Sequence, residues 1–312
     1  MQIGFYIDSK IGDSVVALPA IYGIKTLYPK CKLYIFCNPI TQNLYSPFEW
    51  IDEIILIDEN LIPTLNSLHL DFLFSSNSDK NTITYLKTSN AKKLVTYLKP
   101  YNLFDFRVKT LFANLITKPQ SIKKTLIDLV WLIRPKGARQ KPSISTPKLQ
   151  TFPKNTQTIT SFLSNLQIKG KKIIMINPFG YAAKVNLALS EYATLTQKLI
   201  EDFFIIIPTF GSKDEEVRGV FPQELLTHQN FCIFHNDDDL LNLVELTSKV
   251  NLLISPSTGN IHIADNLGIP SIGIFSFKDT ILWGGENMSY VLLSQDREKT
   301  INKIIALTHS LA

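Results

Sequence analysis

The sequence predicts an α/β protein built from two doubly wound, Rossmann-like lobes facing a central cleft. Three observations carry this expectation. The chain has 312 residues, about twice an average single domain. Short, wholly apolar runs such as Ile173–Ile176 and Leu252–Ile254 alternate with helix-length stretches, as parallel strands buried between helices do. The alternation also pauses at a Pro/Ser/Thr/Lys-rich stretch, Lys136 to Pro153, and then restarts. The expected domains are therefore residues 1–153 and 154–312.

In the first half, Ile3–Ile7 reads as a strand, Asp8 to Ser14 as a loop and Val15 to Leu27 as a helix. Further apolar strands are expected at Leu33–Phe36, Ile54–Ile57 and Phe72–Phe74. From Phe104 to Ile133 the spacing of Leu111, Leu115, Leu126, Leu129, Val130 and Ile133 is helical and breaks at Arg134-Pro135. In the second half, strands are expected at Ile173–Ile176, Phe203–Ile207, Phe231–Phe234, Leu252–Ile254 and Ser271–Phe275. The helices between and after them are Ser190–Ile200, a segment near Asp214–Val220, Leu240–Ser248, Asn260–Asn266 and a last one from Asp296. Ligands of such sheets bind at the carboxyl ends of strands, so the loops there carry the functional reading.

Composition narrows the classes. An apolar fraction of 45% with 19% charged residues is that of a globular protein. No segment reaches the roughly 18 uninterrupted apolar residues of a membrane span, and Met1 to Asp8 lacks the pattern of a signal peptide. Cys31, Cys37 and Cys232 have no metal-ligand spacing and suit reduced thiols in a cytoplasmic protein. The net charge of +5 is unevenly placed. Between Lys87 and Lys148 stand 14 basic residues against Asp105 and Asp128, while the rest of the chain has 18 basic and 25 acidic residues. Such a block either forms a solvated face or attracts an anionic partner. The charge fits an anionic membrane surface or a phosphorylated glycolipid. No nucleic-acid motif accompanies it, and no nucleic-acid partner is expected.

Four loops draw attention. Ser9-Lys10-Ile11-Gly12-Asp13-Ser14 joins the first strand to its helix and matches no phosphate-loop motif. Gly12 allows a tight turn, and Asp13 reads either as a helix N-cap or as a carboxylate aimed into the cleft as general base. Asn177 to Lys184 follows the first strand of the second half, with Gly180 in the turn and Lys184 able to act as a point charge on phosphate. In Ile254 to Ala264 a strand delivers Ser257, Thr258 and Gly259 to a helix start, where free N–H groups and the dipole hold phosphate oxygens. Ser257 or Thr258 could equally cap that helix, and His262 could be a core residue. Asn236-Asp237-Asp238-Asp239 reads as an acidic helix start rather than a metal site.

Taken together these loops resemble the ADP-heptose:lipopolysaccharide heptosyltransferases, glycosyltransferase family nine. The resemblance rests on Ser9-x-x-Gly12-Asp13 followed by Ala17-Leu18-Pro19-Ala20. It rests equally on Ser257-Thr258-Gly259-x-x-His262-x-Ala264-x-x-Leu267-Gly268-x-Pro270. It implies a GT-B fold, an inverting transfer and no required cofactor or metal. Asp13 matches the family's catalytic base, and Ser9, Lys10 and Gly12 would contact the acceptor. Gly180, Lys184, Lys213, Ser257, Thr258, Gly259 and His262 would hold the donor, a nucleotide diphosphate sugar such as ADP-heptose. The partners implied are that donor and an anionic glycolipid, met peripherally at the cytoplasmic face of the inner membrane. Departures from the pattern are Ser257 in place of Asp, Val185-Asn186-Leu187 in place of Trp-Pro, and Lys213 where an acid contacts the ribose. A nucleotide-sugar epimerase on the same architecture, a non-catalytic relative, and a metal-dependent transferase using Asp237–Asp239 are the alternatives.

Overall fold

The structure, a computed structural model, describes residues 1–111, 120–141, 145–180, 185–237 and 239–312. They form two compact units, Met1–Pro147 and Lys148–Ala312.

The first unit opens with β1 (Gln2–Ile7), α1 (Ile11–Leu27), β2 (Lys32–Cys37), α2 (Pro39–Tyr45), β3 (Glu53–Leu56) and α3 (Leu61–Leu68). It continues with β4 (Phe72–Ser75), α4 (Lys80–Leu86), β5 (Leu94–Tyr97), β6 (Val108–Leu111) and α5 (Ile122–Trp131). Its sheet is wholly parallel, in the order β3-β2-β1-β4-β5-β6. The strand Ile3 to Ile7 is buried throughout in the middle of that sheet, and Gly4 leaves the room that Leu70 and Phe36 fill. Helix α1 is apolar almost all round, so it must bury more than one face. It packs against α5 and α2, and α5 also packs on β5 and β6.

The second unit contains α6 (Pro153–Ser164), β7 (Ile173–Ile176), α7 (Leu189–Leu199), β8 (Phe204–Thr209), α8 (Lys213–Val220), α9 (Gln223–Leu226) and β9 (Phe231–His235). Then follow α10 (Leu240–Lys249), β10 (Leu252–Pro256), α11 (Gly259–Leu267), β11 (Ser271–Phe275), α12 (Phe277–Trp283), β12 (Met288–Leu292) and α13 (Arg297–Leu311). This sheet too is parallel, in the order β12-β11-β10-β7-β8-β9. Ile174, Ile176, Ile205, Ile207, Leu252 and Ile254 are completely buried on it, which explains why its strands read as unbroken apolar runs.

Three segments differ from the expectation. Val108–Leu111 is an edge strand paired with β5 rather than the start of a long helix. Pairing satisfies four backbone positions that a helix could have used, and exposed Lys109 guards the open edge. Leu115 lies outside the described residues, and the helical spacing proper begins at Ile122. Second, α1 starts at Ile11, so Gly12, Asp13 and Ser14 are helical instead of in the loop. Third, Pro153 is the first helical residue of α6 rather than the end of a linker, because a proline at that position lacks only an N–H that no helix uses.

The ties that bring the chain into the second unit begin at Lys148. Its ammonium donates to the Leu267 carbonyl (3.3 Å), and the Leu149 N–H donates to Asn266 Oδ1 (2.7 Å). Thr151 Oγ1 donates to Glu245 (2.5 Å). Asn155, at 1% exposure, donates from Nδ2 to Asn242 Oδ1 (2.9 Å) and Asp239 (3.0 Å). Removing a buried amide with this many partners leaves them unpaired. Asn155→Ala should therefore cost about 1–3 kcal/mol, read as a lower urea midpoint at unchanged slope for the transition of this unit.

Candidate active site

In each sheet the first strand lies in the middle, so the connections on its two sides leave in opposite directions. The crevice that opens there is the usual ligand position of a doubly wound sheet. In the first unit it lies between β1 and β4.

The loop Asp8–Lys10 leaves β1 at that crevice and is held from two sides. Asn38, after β2, donates from Nδ2 to the Ser9 carbonyl (2.9 Å) and to Asp8 Oδ1 (3.3 Å). Asn77, after β4, donates to the Asp8 carbonyl (3.3 Å). Lys10 is the N-cap of α1 in extended conformation, and its carbonyl accepts from the Ser14 N–H (3.1 Å). Gly12 is buried in the first turn, and Ser9 is half-buried.

Asp13 is thus the third helical residue and not the N-cap. Its carboxylate reaches back to the Lys10 N–H, and it also gains from its own N–H and from the Lys10 ammonium. This is the acidic half of a capping box, a structural role. Burial outweighs these contacts and raises its pKa above the usual aspartate range. A half-buried carboxylate whose affinity for protons is raised, beside an open crevice, has the chemistry of a general base.

In the second unit the crevice lies between β7 and β10. Asn177, directly after β7 and 3% exposed, stitches the two loops together. Its Nδ2 faces Ser255 Oγ (3.0 Å), Thr258 Oγ1 (3.2 Å) and the Phe179 carbonyl (3.1 Å). Thr258 occupies the N-cap of α11, yet its side chain makes no capping bond, because Oγ1 turns instead to Asn177 and to Ser255 Oγ (3.1 Å). The first-turn amides of α11, beginning at Gly259, have no intrahelical acceptor, and they carry the positive end of the helix dipole. Ser257 and Gly259 are half-buried at this edge, and Gly180 is half-buried at the end of the β7 loop. Lys184 lies outside the described residues.

The loop after β8 adds an aromatic wall. Phe179 and Phe210 meet edge to face with centroids 6.0 Å apart, and Phe210 stays 49% exposed. Gly211, at φ +51°, turns the chain into α8. Lys213 then sets its ammonium 5.3 Å above the Phe179 ring while pairing with Glu216. His262 lies one turn into α11, buried, its ring 5.7 Å from that of Trp283. Burial depresses its pKa to about 4, so the imidazole is neutral near pH 7. The remaining acidic loop is structural where it is described: Asp239 caps α10 through the Leu241 N–H (3.0 Å) and pairs with Lys154 (3.3 Å). Asp238 lies outside the described residues. Among the described residues no group of three or more His, Cys, Asp or Glu could hold a metal ion.

Sequence reasoning gave no role to Asn38, Asn77, Asn177 or Phe210. An asparagine immediately after an apolar strand is a signal that Asn38 and Asn177 carry and that Asn77 and Phe210 lack.

The profile of glycosyltransferase family 9 (heptosyltransferase) matches residues 138–306. Lipooligosaccharide heptosyltransferase 2 of Campylobacter jejuni is 23% identical over 99% of this chain and 93% of its own. ADP-heptose lps heptosyltransferase II of E. coli has the same fold, with a TM-score of 0.78 at 15% identity and 99% of both chains covered. The E. coli heptosyltransferase WaaC, solved with ADP-2-deoxy-2-fluoro heptose, gives 0.71 at 14% identity over 100% of both chains.

The raised pKa of Asp13 has a sign that stability measurements can read. Above that pKa the folded state holds a carboxylate that burial disfavours. Below the unfolded pKa both states are protonated and the cost vanishes. Asp13→Asn should therefore raise Tm at neutral pH, with the gain fading as pH falls through the Asp13 pKa.

Proposed function

The chain belongs to glycosyltransferase family 9, the heptosyltransferases, and on that premise we propose that it moves heptose from ADP-heptose to a hydroxyl of a lipopolysaccharide or lipooligosaccharide core. The observation that supports this best is the start of α11. Thr258 is turned away from the cap by Asn177 and Ser255, which leaves the first amides of the helix for phosphate oxygens.

In this reading the second unit binds the donor. The α11 amides at Gly259 and the Ser257-Thr258 loop hold the diphosphate, with Lys184 as a counter-charge. Gly180 allows the β7 loop to lie close to the phosphates. Phe210 and Lys213 border the nucleoside, and His262 fixes α11 from within by packing on Trp283. The first unit binds the acceptor through the Ser9-Lys10-Gly12 turn. Asp13 takes the proton from the acceptor hydroxyl while that oxygen attacks the anomeric carbon from the side opposite the diphosphate. The new C–O bond forms as the bond to the diphosphate breaks, with inversion. Fixed N–H donors stabilise the charge that develops on the departing phosphate, a role that requires no metal.

The acceptor is an anionic glycolipid, and the protein works peripherally at the cytoplasmic face of the inner membrane. No helix among the described residues is long and apolar enough to cross a membrane. The exposed cations Lys124, Lys136 and Arg139 of the basic block fit the phosphates of such an acceptor.

Calorimetry with ADP, UDP, GDP and CMP, with and without EDTA, tests the donor. Selective ADP binding that survives EDTA is expected, and preference for another nucleotide would overturn the heptose donor. Asp13→Asn should lower kcat by at least about 100-fold with little change in ADP affinity, as loss of a general base does. The acidic limb of the wild-type rate profile should lie above the usual aspartate range. Glutamine at Lys124, Lys136 and Arg139 together should raise the acceptor KM at least about tenfold and leave the donor KM unchanged, as about 1 kcal/mol per charge near an anionic surface requires.

A further inference from the structure

We propose that the loop joining β5 to β6, residues 98–107, is a membrane-contact site that sets Phe104 and Phe106 into the headgroup region of an anionic bilayer. The proposal rests on the membrane-facing part of the reading above and names the surface that performs it.

Two large aromatic side chains stand out of this loop almost fully, Phe104 at 85% and Phe106 at 93% exposure, with Leu103 at 49% beside them. The loop is not a slack segment that failed to bury them. A single 3-10 turn, Pro100–Asn102, starts it, and buried Asn102 ties it down by donating to the Tyr97 carbonyl (2.9 Å) and accepting from the Lys99 N–H (2.8 Å). The Tyr101 hydroxyl donates to the Ser78 carbonyl. Asp105 pairs with Lys87 (2.6 Å) and accepts from the Arg107 N–H (3.0 Å). Lys93 holds the Phe106 carbonyl (2.7 Å), and Arg107 donates to the Lys87 carbonyl (3.1 Å). Polar ties thus fix the backbone while the two rings project. An open hollow of about 470 Å³ lies among Tyr101, Phe104, Phe106 and Arg107.

Charge selects the occupant. The one acid of the loop, Asp105, is paired with Lys87, whereas Arg107 in the loop, Lys93 bonded to it and Lys109 just after it are exposed. The loop also lies within the segment, Lys87 to Lys148, that has 14 basic residues and 2 acidic ones. Exposed rings flanked by cations suit the boundary between acyl chains and anionic headgroups, where the rings gain burial and the cations gain phosphate.

The loop also has a place in the fold. Its second half is held by Lys93, which precedes β5, and by Lys87 at the end of α4, so residues 105–107 lie at the amino-terminal end of the sheet. Asp13 lies at the carboxyl end of β1. Membrane contact and chemistry are therefore separable by mutation.

The test is co-sedimentation with vesicles of phosphatidylglycerol or of phosphatidylcholine, free of any acceptor lipid. Wild type should bind the anionic vesicles, bind the neutral ones weakly, and be released in about 1 M salt, where the Debye length is about 3 Å. The double variant Phe104→Ser with Phe106→Ser should lower partition at least about tenfold, at unchanged Tm and with unchanged transfer to a water-soluble acceptor fragment. Lys109→Glu should weaken binding several-fold without touching either ring. Wild-type vesicle binding by the double variant would overturn the proposal. So would a double variant that changes only the sedimentation velocity of the free protein, since the rings would then join two copies of this chain. Because the vesicles carry neither donor nor acceptor, failure of the transferase reading shows in nucleotide calorimetry and not here.

Discussion

Each unit begins its sheet in the middle. β1 pairs with β2 on one side and β4 on the other, and β7 pairs with β8 and β10. A parallel strand in that position has its hydrogen-bonding edges and both faces covered, so it can be made only of apolar residues, as Ile3 to Ile7 and Ile173–Ile176 are. The same arrangement forces neighbouring connections apart at the carboxyl ends. Loop backbone is left there with carbonyls and amides that no strand can pair. Asparagines fill that gap: Asn38 and Asn77 serve the loop after β1, and Asn177 serves the loops after β7 and β10. The site residues are placed by these amides more than by their immediate neighbours in sequence.

Asp13 shows two opposing demands on one side chain. The start of α1 rewards a carboxylate, since the Lys10 amide and ammonium both favour its charge. The buried surroundings of the same position penalise that charge and win. A residue chosen only for stability would not be left in this balance, and a carboxylate kept hungry for a proton is what base chemistry uses. His262 is the converse, a base that burial holds neutral and that serves by packing.

Much of this was legible in the sequence where burial is complete. Ser271–Phe275 is apolar or small throughout and was readable as a strand to the residue. The motif around Thr258 and Gly259 was readable as a strand feeding a helix. Strands of mixed composition were not. Leu94–Tyr97 and Met288–Leu292 mix polar and apolar residues, and Val108–Leu111 carries Lys109, so none has a clear period. The short helices α2, α3, α4, α9 and α12 are too brief for periodicity to show. Helix α6 is rich in Thr and Ser, and its amphipathic face is visible only against α10. At the site, Asn177 was visible as a residue but its partner Ser255 lies 78 positions away. The Phe179–Phe210 contact likewise joins loops from two strands. Side-chain pairings across a sheet are tertiary facts that no local pattern encodes.

The boundary at Pro147–Lys148 has a consequence for descent. Residues 148–155 are bonded into the second unit through Leu267, Asn266, Glu245 and Asn242, so each unit keeps its whole sheet and its own core on its side of that one junction. A recombination event there would exchange complete modules without cutting a strand pair or a helix. Relatives with new donor and acceptor combinations can thus arise by splicing intact halves, and the sequence on either side is free to diverge at its own rate.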